Sequence, residues 1–409
     1  MSRKNRSEVL IAGAGPAGLA AALSLRARQV DVEIVDPRTE ASDDAFAVVL
    51  HRDSLQRLAQ AGVLFDLQHE VGQIGQISIY DRAQGRAEAA LAGQPPGFET
   101  AASVPHWLLC KQLEAALHGA GTKVRWNHRV ARVEPASDSM HAYVESLDYD
   151  TVGYAVLVSE RVVSGTAHRT PPYLIAADGR ESLVRNQLRA GWRTIGEAAT
   201  VADFEVDLDG VAAHEMQIVV GDAAMVTWPL PGHGLRITFH LPPDALPDLE
   251  EPGIDDLGAL LRAHAYGREP AVRALRRARV TRVAPAVVEP PTLRAVFVGD
   301  AAHVLPAAAS QELNQSLGEA QRLAGAIHDA LRDHSSAPVA GYAAEVRAAA
   351  AASIDLGAGY RPARHAEPFV AEAYRRILPL IPARGPDLDD VARQLGLVAA
   401  PGAVEDVQL

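Results

Sequence analysis

One segment near the start of the chain constrains the fold more than any other. Residues 8–36 read EVLIAGAGPAGLAAALSLRARQVDVEIVD. Residues 8–12 predict a short strand, residues 13–18 a glycine-rich turn, residues 17–28 a helix and residues 31–36 a second strand. A strand, turn, helix and strand in this order is the unit from which open, mostly parallel α/β sheets are built.

The glycine turn has the spacing of a phosphate-binding loop. Gly13, Gly15 and Gly18 follow the GxGxxG pattern, in which glycines permit a tight turn, close approach of backbone to a pyrophosphate, and helix–strand packing. The start of the helix presents free N–H groups and a partial positive charge. A glycine turn without a ligand is the alternative. The predicted phosphate-binding residues are Gly13, Ala14, Gly15, Pro16, Ala17 and Gly18.

A carboxylate ends the second strand of this unit. Asp36 can accept hydrogen bonds from the hydroxyl groups of a ribose, and its charge disfavours a 2′-phosphate. The nucleotide expected at this end is therefore an adenosine with a free ribose, as in FAD or NAD. Pro37 and Arg38 follow directly and are included among the predicted cofactor-binding residues.

A second motif occurs at residues 177–185, which read ADGRESLVR. The pair Asp178-Gly179 favours a turn, and Ser182 can start a helix. Taken alone, this motif indicates only a connection from a strand to a helix. Asp178 and Gly179 are nevertheless predicted to contact a nucleotide, because the motif does not occur alone.

A third motif follows an apolar strand predicted over residues 293–299. Residues 299–303 read GDAAH, and Pro306 comes shortly after. A carboxylate at the end of a buried strand can hold a polyol such as a ribityl chain, and a helix predicted to begin near residue 313 aims its N–H groups at the same ligand. The predicted cofactor-binding residues here are Gly299, Asp300, Glu312, Leu313 and Asn314.

The order and separation of these three motifs resemble those of one family. GAGPAGL, ADGRESLVR and GDAAHVLP occur in this order in the single-component, FAD-dependent aromatic monooxygenases of the para-hydroxybenzoate hydroxylase type, and the resemblance covers about residues 8–330. It implies an α/β fold with a Rossmann-like FAD-binding domain, an inserted β-sheet substrate domain and a helical C-terminus. It also implies FAD as cofactor, NADPH or NADH as transient reductant, and a small aromatic or polyketide-like substrate between the flavin and the inserted sheet.

The resemblance and the strand pattern together predict a division of the chain into domains. The discontinuous FAD-binding domain comprises residues 1–72, 100–185 and 285–335. The substrate-binding β-sheet domain comprises residues 73–99 and 186–284, with a hairpin around residues 229–234, and residues 336–409 form a C-terminal helical region. Further strands are predicted over 122–134, 141–147, 154–163 and 166–177, and a helix over 106–119.

Charge and composition argue against several kinds of partner. The chain has 409 residues and a formal net charge of −12, whereas nucleic acids and anionic membranes attract basic surfaces. We therefore expect no nucleic-acid or membrane partner. We also expect no metal, and we expect a monomer or homodimer. The single cysteine, Cys110, excludes an internal disulfide and favours a cytoplasmic location. Glycines within the first apolar run, and the charges after it, argue against a signal peptide.

The chemistry implied by the resemblance needs few side chains, because the cofactor carries the difficult step while the protein positions it and excludes water. The predicted catalytic residues are Pro306, His106 and His51. His106 lies in VPHWLL, where related proteins often have a glutamine near the flavin, and is therefore also a predicted cofactor-binding residue. His233 and His240 are further candidates for a base, although such histidines are more commonly structural or exposed.

The chain departs from the family pattern near the expected flavin ring. Where the family usually has Pro-x-x-Gly-Gln-Gly-x-Asn, Ser310 and Glu312 replace the two glycines. A Cβ resists the close approach that glycine allows, and the charge of Glu312 opposes the negative charge that develops on a reduced flavin. Phe46 and Val48 stand where the family often has an Arg-x-Gly pattern.

The arginine missing from that pattern has two candidate substitutes, Arg38 and Arg52, and Arg52 is accordingly a predicted cofactor-binding residue. Two functions follow. The first is a FAD-dependent NAD(P)H monooxygenase that hydroxylates or epoxidises an aromatic or polyketide-like secondary metabolite. The second is a relative of this fold that has lost conventional flavin redox chemistry and catalyses a redox-neutral step such as cyclisation or rearrangement. A non-enzymatic binding role is a third possibility.

Overall fold

The chain alternates helices and strands. The computed structural model describes residues 7–41, 45–50, 52–66, 69–74, 76–81, 85–90, 102–152, 158–194, 198–209, 215–220, 223–246, 249, 251–265, 267–290, 292–304 and 311–358. The helices of these residues are α1 (Pro16–Ala27), α2 (Arg52–Gln60), α3 (His106–Gly119), α4 (Leu183–Gln187), α5 (Ile254–His264), α6 (Gln311–Arg332) and α7 (Ala337–Ala358). The strands are β1 (Val9–Ala12), β2 (Val32–Val35), β3 (Val48–Leu50), β4 (Gly72–Gln73), β5 (Gln76–Asp81), β6 (Gly85–Ala90), β7 (Ala102–Val104), β8 (Val124–Arg125), β9 (His128–Pro135), β10 (Met140–Val152), β11 (Val158–Arg169), β12 (Tyr173–Ala176), β13 (Gly191–Thr194), β14 (Ala199–Leu208), β15 (Glu215–Val220), β16 (Ala224–Pro229), β17 (Gly234–Leu241), β18 (Val272–Val283), β19 (Ala286–Glu289), β20 (Ala295–Phe297) and β21 (His303–Val304).

A five-stranded parallel sheet brings the three sequence motifs together. Its strand order is β20-β12-β1-β2-β8, and all of its pairings are parallel. The strands that precede the three motifs, β1, β12 and β20, are therefore neighbours. Because parallel strands end at the same edge of a sheet, the motifs meet at the carboxyl edge, where ligands of such sheets bind.

The two faces of this sheet are covered differently. Side chains alternate along β1, so that Val9 and Ile11 pack with the apolar residues of α1, α3 and α6 in one core cluster. Leu10 and Ala12 face the opposite side and pack against apolar residues of β9 and β10. These two strands and β11 form an antiparallel sheet. All four residues of β1 are buried, as expected for a central parallel strand.

A seven-stranded sheet lies in the middle of the chain, with the order β18-β14-β17-β16-β15-β5-β6. Its pairings are antiparallel except that of β15 with β5. The predicted hairpin around residues 229–234 is confirmed: it joins β16 to β17, with Pro229 opposite Leu235. Phe204 and Phe239 on one face pack with the apolar side of α5.

The prediction of a single strand over residues 166–177 is wrong. β11 ends at Arg169 and pairs with β10, whereas β12 begins at Tyr173 and belongs to the five-stranded parallel sheet. Pro171 and Pro172 lie between them, and proline has no N–H to donate to a strand ladder. The prediction over 122–134 is likewise divided into β8 and β9, which belong to different sheets.

The predicted domain limits remain predictions, and residues 359–409 of the proposed C-terminal helical region lie outside the described residues. Among the helices of the described residues, none combines the length and the apolar composition needed to cross a membrane.

Candidate cofactor site

Close backbone contacts hold the glycine turn between β1 and α1. Gly13 has a φ of +103°, and a Cβ there would lie 2.2 Å from the carbonyl oxygen of Ala177. A Cβ on Gly18 would lie 2.0 Å from the carbonyl oxygen of Gly13. Packing therefore requires both glycines, and the first motif is in direct contact with the beginning of the second.

Gly15 has a different environment. It is the N-cap of α1, and Pro16 occupies the first turn. No other part of the described chain lies within 4 Å of the position that a Cβ on Gly15 would take. Open space thus faces the start of a 12-residue helix, whose first N–H groups have no acceptor within the helix. A pyrophosphate fits such a position.

Asp36 follows β2 directly and is 3% exposed. Its Oδ1 accepts hydrogen bonds from the backbone N–H and from Nε of Arg38, both at 2.9 Å. Its Oδ2 accepts from the backbone N–H of Ala14 at 2.8 Å and from the second side-chain nitrogen of Arg38 at 2.9 Å. Burial opposes the charge, but the bonds from Arg38 and Ala14 outweigh it and hold the pKa of Asp36 below its usual value.

Arg38 consequently lies at the adenosine end of the predicted site. Its guanidinium also lies over the ring of Trp126, 5.9 Å from the ring centroid. Because a carboxylate offers about four lone-pair positions, a ribose bonded to Asp36 has to share that carboxylate with Arg38. The carbonyl oxygen of Pro37 accepts a hydrogen bond from Arg161.

Asp178 accepts hydrogen bonds from the start of the short helix α4, whose N-cap is Ser182. Its Oδ1 accepts from Oγ of Ser182 at 2.6 Å and its Oδ2 from the backbone N–H of Val184 at 3.1 Å. Burial raises the pKa of this carboxyl above its usual value. Gly179 has a φ of +81° and open space around its Cβ position. The second motif is therefore a strand–turn–helix connection that closes against the glycine turn.

The third motif forms a 3-10 turn over residues 299–301 instead of extending the strand, because β20 already ends at Phe297. Gly299 has a φ of +64°, and a Cβ there would lie 3.0 Å from the Cβ of Ala17 in α1. Arg185 of α4 donates from Nη1 to the carbonyl oxygen of Ala301 at 3.2 Å. The turn thus contacts the helices that follow both other motifs.

Asp300 is the acid of this turn that remains available for a ligand. Its side chain is partly exposed, and within the described ranges no hydrogen bond or ion pair engages its carboxylate. The carboxylates of Asp36 and Asp178, in contrast, are bonded to neighbouring groups. Asp300 is therefore the best placed of the three to accept hydrogen bonds from a polyol.

The start of α6 contacts the N-terminal part of the chain. Asn314 donates from Nδ2 to the carbonyl oxygen of Val49 in β3 at 2.8 Å, and Leu313 packs against the core cluster that includes α1. Five predicted features lie outside what the structure describes: His51, Pro306 and Ser310, and the side chains of Arg52 and Glu312.

The remaining candidate histidines have unlike positions. His106 begins α3, and its Nδ1 lies 3.8 Å from Sγ of Cys110. His233 is exposed in the hairpin turn. His240 is 2% exposed on β17. These three histidines belong to different elements: α3, the hairpin turn and β17.

The partners of the segment 45–47, where Phe46 departs from the family pattern, are not evident from the sequence. The ring of Phe46 lies near two guanidinium groups, 5.4 Å from that of Arg236 and 5.7 Å from that of Arg277. Both arginines also donate to backbone oxygens of this segment, and Glu205 accepts from the N–H of Ala47 at 2.6 Å. Acidic residues at alternate positions of β14 are the signal that the sequence offers.

The residues present fit the parts of FAD that the motifs are expected to hold. The open helix start at Gly15 suits a pyrophosphate, the carboxylate of Asp36 suits a ribose, and that of Asp300 suits a polyol. Three motifs converging at the carboxyl edge of a parallel sheet define the class of dinucleotide-binding α/β proteins.

A comparison with known families places the chain within this class. The family model described as FAD binding domain matches residues 6–356. The chain therefore belongs to the FAD binding domain family, and the resemblance to para-hydroxybenzoate hydroxylase-type flavoproteins is confirmed together with the predicted fold class.

Similarity to individual proteins is consistent with this family assignment. The 6-methylpretetramide 4-monooxygenase of Streptomyces rimosus is 27% identical over 336 residues, which are 80% of this chain and 56% of that protein. The chain thus spans little more than half the length of this curated relative.

Two solved structures share the fold. OxyS anhydrotetracycline hydroxylase from Streptomyces rimosus has a TM-score of 0.69 and 19% identity, with coverage of 98% of this chain and 78% of that one. The p-nitrophenol 4-monooxygenase PnpA from Pseudomonas putida has a TM-score of 0.67 and 17% identity, with coverage of 96% and 93%.

Proposed function

We propose that the protein is a FAD-dependent monooxygenase that uses NADPH or NADH and oxygen to hydroxylate or epoxidise an aromatic or polyketide-like small molecule. The observation that carries this proposal is the convergence of the three motifs, with Asp300 available beside the start of α1. The names of the relatives support the substrate class and favour oxygen transfer over the redox-neutral alternative.

Each end of the site has a proposed role. Asp36, Arg38 and Trp126 hold the adenosine, the N–H groups at the start of α1 hold the pyrophosphate, and Asp300 holds the ribityl chain. When bound, the flavin supplies the transfer of an oxygen atom from O₂ to the substrate. The protein binds and orients both molecules and excludes water.

One face of the seven-stranded sheet suits the substrate. Side-chain alternation and strand register place on this face Val201, Trp228, Val226, Arg236, Thr238 and His240. Arg236 contacts Ala47, and Val201 clusters with Val304, which closely follows the cofactor turn. The face is therefore directed toward the cofactor segments, and we propose that the substrate binds on this side of the sheet.

The seven strands of this sheet lie within residues 76–90 and 199–283, which supports the proposed substrate domain of residues 73–99 and 186–284. We also propose that the protein is cytoplasmic and acts as a monomer or homodimer. Size-exclusion chromatography with light scattering measures the oligomeric state, and a larger assembly would contradict this part of the proposal.

Visible absorption and product analysis test the function. The purified chain is expected to be yellow and to release FAD on denaturation. With oxygen and a fused-ring phenol, oxidation of NADPH or NADH should accelerate, and the product should gain one oxygen atom by mass spectrometry. A colourless protein that does not take up added FAD would overturn the proposal.

A variant of the available carboxylate makes this test specific. Asp300→Ala is expected to lower FAD affinity by about tenfold or more, because it removes the hydrogen bonds that the ligand donates to a charged acceptor. The matched control Asp244→Ala removes an exposed carboxylate and should leave FAD affinity unchanged. Equal effects of the two substitutions would argue against a role of Asp300 in binding.

Ser310 and Glu312, which the family pattern implies to be near the flavin ring, are tested by substitution with glycine. The double variant Ser310→Gly, Glu312→Gly is expected to bind FAD more tightly or to be reduced faster by NAD(P)H, because it removes two Cβ atoms and one negative charge. Stopped-flow reduction measures the rate. Unchanged affinity and rate would show that these residues do not hinder the flavin.

A further inference from the structure

A fully buried histidine–carboxylate pair lies directly behind the cofactor turn. Nε2 of His303 is 2.8 Å from Oε2 of Glu319, and neither side chain has exposed surface. The other carboxylate oxygen of Glu319 accepts a hydrogen bond from Nε2 of Gln315 at 2.9 Å. The pair joins β21, which follows the turn of residues 299–301, to α6.

The same helix touches the turn at a second point. The Cβ position of Gly299 is 3.7 Å from Oγ of Ser316, and Ser316 lies one helical turn before Glu319. α6 therefore contacts the turn on one side of Asp300 through Ser316 and on the other side through His303. Asp300 therefore lies between two points at which this part of the chain contacts α6.

A second helix, α7, covers the pair. Tyr342 of α7 is 4% exposed; burial, and then the nearby charge of Glu319, raise the pKa of its hydroxyl well above the usual value. Because water is excluded here, the carboxylate of Glu319 depends on its hydrogen-bond partners: an unpaired buried charge would strongly destabilise the fold.

Stability alone does not require such a pair, since well-packed apolar residues of similar size are often as stabilising. Directionality is what the pair adds. A hydrogen bond between an imidazole and a carboxylate forms only within a narrow range of distances and angles, so it restricts the placement of β21 against α6 more than an apolar contact does.

We propose that His303 and Glu319 are positioning residues that hold the turn of residues 299–301, and hence Asp300, in the geometry that binds the flavin half of FAD. This inference rests on the proposed binding of FAD. The adenosine half is held at the other end of the site by Asp36 and the glycine turn, and it does not depend on this pair.

The test compares FAD with ADP, which occupies only the adenosine half. The full chain is stripped of cofactor, and both dissociation constants are measured for the wild type, Glu319→Leu, Glu319→Gln and Asp329→Asn. Asp329 forms an exposed pair with His328 on the same helix, at 3.2 Å, and it serves as the matched control.

Glu319→Leu is expected to raise the FAD dissociation constant tenfold or more and to change that of ADP less than twofold. Glu319→Gln should recover most of the FAD affinity, because its amide oxygen can still accept from His303, and Asp329→Asn should equal the wild type. If Glu319→Leu does not fold, His303→Asn removes the same contact and is read in the same way.

A parallel loss of FAD and ADP affinity would overturn the inference, since it would indicate general damage to the fold. Unchanged FAD affinity in the pair variants would also overturn it. Failure of the proposed function is recognised separately: the wild type itself would then bind ADP but not FAD.

Discussion

Three aspartates follow strands β2, β12 and β20 of the parallel sheet, and each has a different environment. Asp36 is bonded to Arg38 and Ala14, and its pKa is held low. Asp178 is bonded within its own turn, and burial raises its pKa. Within the described residues, no hydrogen bond or ion pair engages the carboxylate of Asp300. Residues of one type at similar positions thus differ in what they can offer a ligand.

Asp36→Asn is expected to raise the dissociation constants of ADP and FAD by about tenfold, because it removes the charge that orients Arg38 and accepts from the ribose. Since the pKa of Asp36 lies below its ordinary value of 3.8, the wild-type contribution is complete above that value and is lost as the pH falls through the lowered pKa.

Calorimetric titration with ADP between pH 5 and pH 8 measures the dissociation constant of ADP. Within that range Asp36 stays charged, so it should cause no pH dependence of ADP binding. The control Asp31→Asn removes an exposed carboxylate that pairs with Arg26 and should bind ADP normally. Wild-type affinity in Asp36→Asn would contradict the proposed ribose contact.

Cys110 is expected to be unreactive in the folded protein. Burial raises the pKa of its thiol to about 12, and only the thiolate reacts readily with alkylating reagents. Iodoacetamide at pH 8 should therefore label Cys110 slowly in the native chain and rapidly after unfolding in urea, as measured by mass spectrometry. Rapid labelling of the native chain would show that α3 opens more readily than its packing suggests.

At the scale of elements, the glycines determine how closely a helix approaches its strands. α1 follows β1 through a turn in which Gly13 lies against Ala177, directly after β12, and Gly18 lies against Gly13 itself. No side chain fits at either place. The short distance between α1 and the sheet is therefore a property of these two residues, and it places the helix start at the carboxyl edge.

Gly18→Ala should lower the free energy of unfolding by roughly 1–3 kcal/mol or more, because its Cβ would overlap backbone that cannot move freely. Urea denaturation measures the change. Gly119→Ala in α3 is the matched control: nothing lies within 4 Å of its Cβ position, so its stability should be equal or slightly higher. An equal response of the two variants would contradict the packing argument.

Local patterns predicted local elements well. The strand, turn, helix and strand of residues 8–36 have the predicted order, and their ends differ by only a few residues, because hydrophobic periodicity and glycine spacing are properties of the segment itself. The run 166–177 does not reveal its division into two strands, because the pairing of β11 and β12 with different neighbours depends on distant segments. The positions of the three motifs can likewise be predicted from the sequence. The contacts of Arg185, Glu205 and the His303–Glu319 pair cannot, because they join distant segments.

At the scale of the whole molecule, the segment 45–47 connects the cofactor side of the protein to the seven-stranded sheet. Glu205, Arg236 and Arg277 come from three adjacent strands, β14, β17 and β18, and all bond to backbone groups of this segment. The departure at Phe46 is therefore accompanied by a polar anchor that fixes the segment against the proposed substrate face.

Glu205→Ala is expected to destabilise the protein by roughly 1–3 kcal/mol, because it leaves the nearly buried N–H of Ala47 without its acceptor. Chemical denaturation gives the value. Glu134→Ala removes an exposed ion pair with Arg132 and should change the stability by about 0.5 kcal/mol or less. A smaller effect at Glu205 than at Glu134 would show that the anchor is weak.

The pairing of β1 with β12 and of β12 with β20 has a consequence for how the protein is made. Val9 lies beside Tyr173, and Leu174 lies beside Ala295, so the sheet unites segments that leave the ribosome far apart in time. Closing such long loops is slow. Until β20 has emerged, the nascent chain displays apolar strands with unpaired edges, which invite association with other chains. A chain truncated before residue 295 should therefore aggregate, and chaperones that shield strand edges during synthesis should raise the yield of the complete protein.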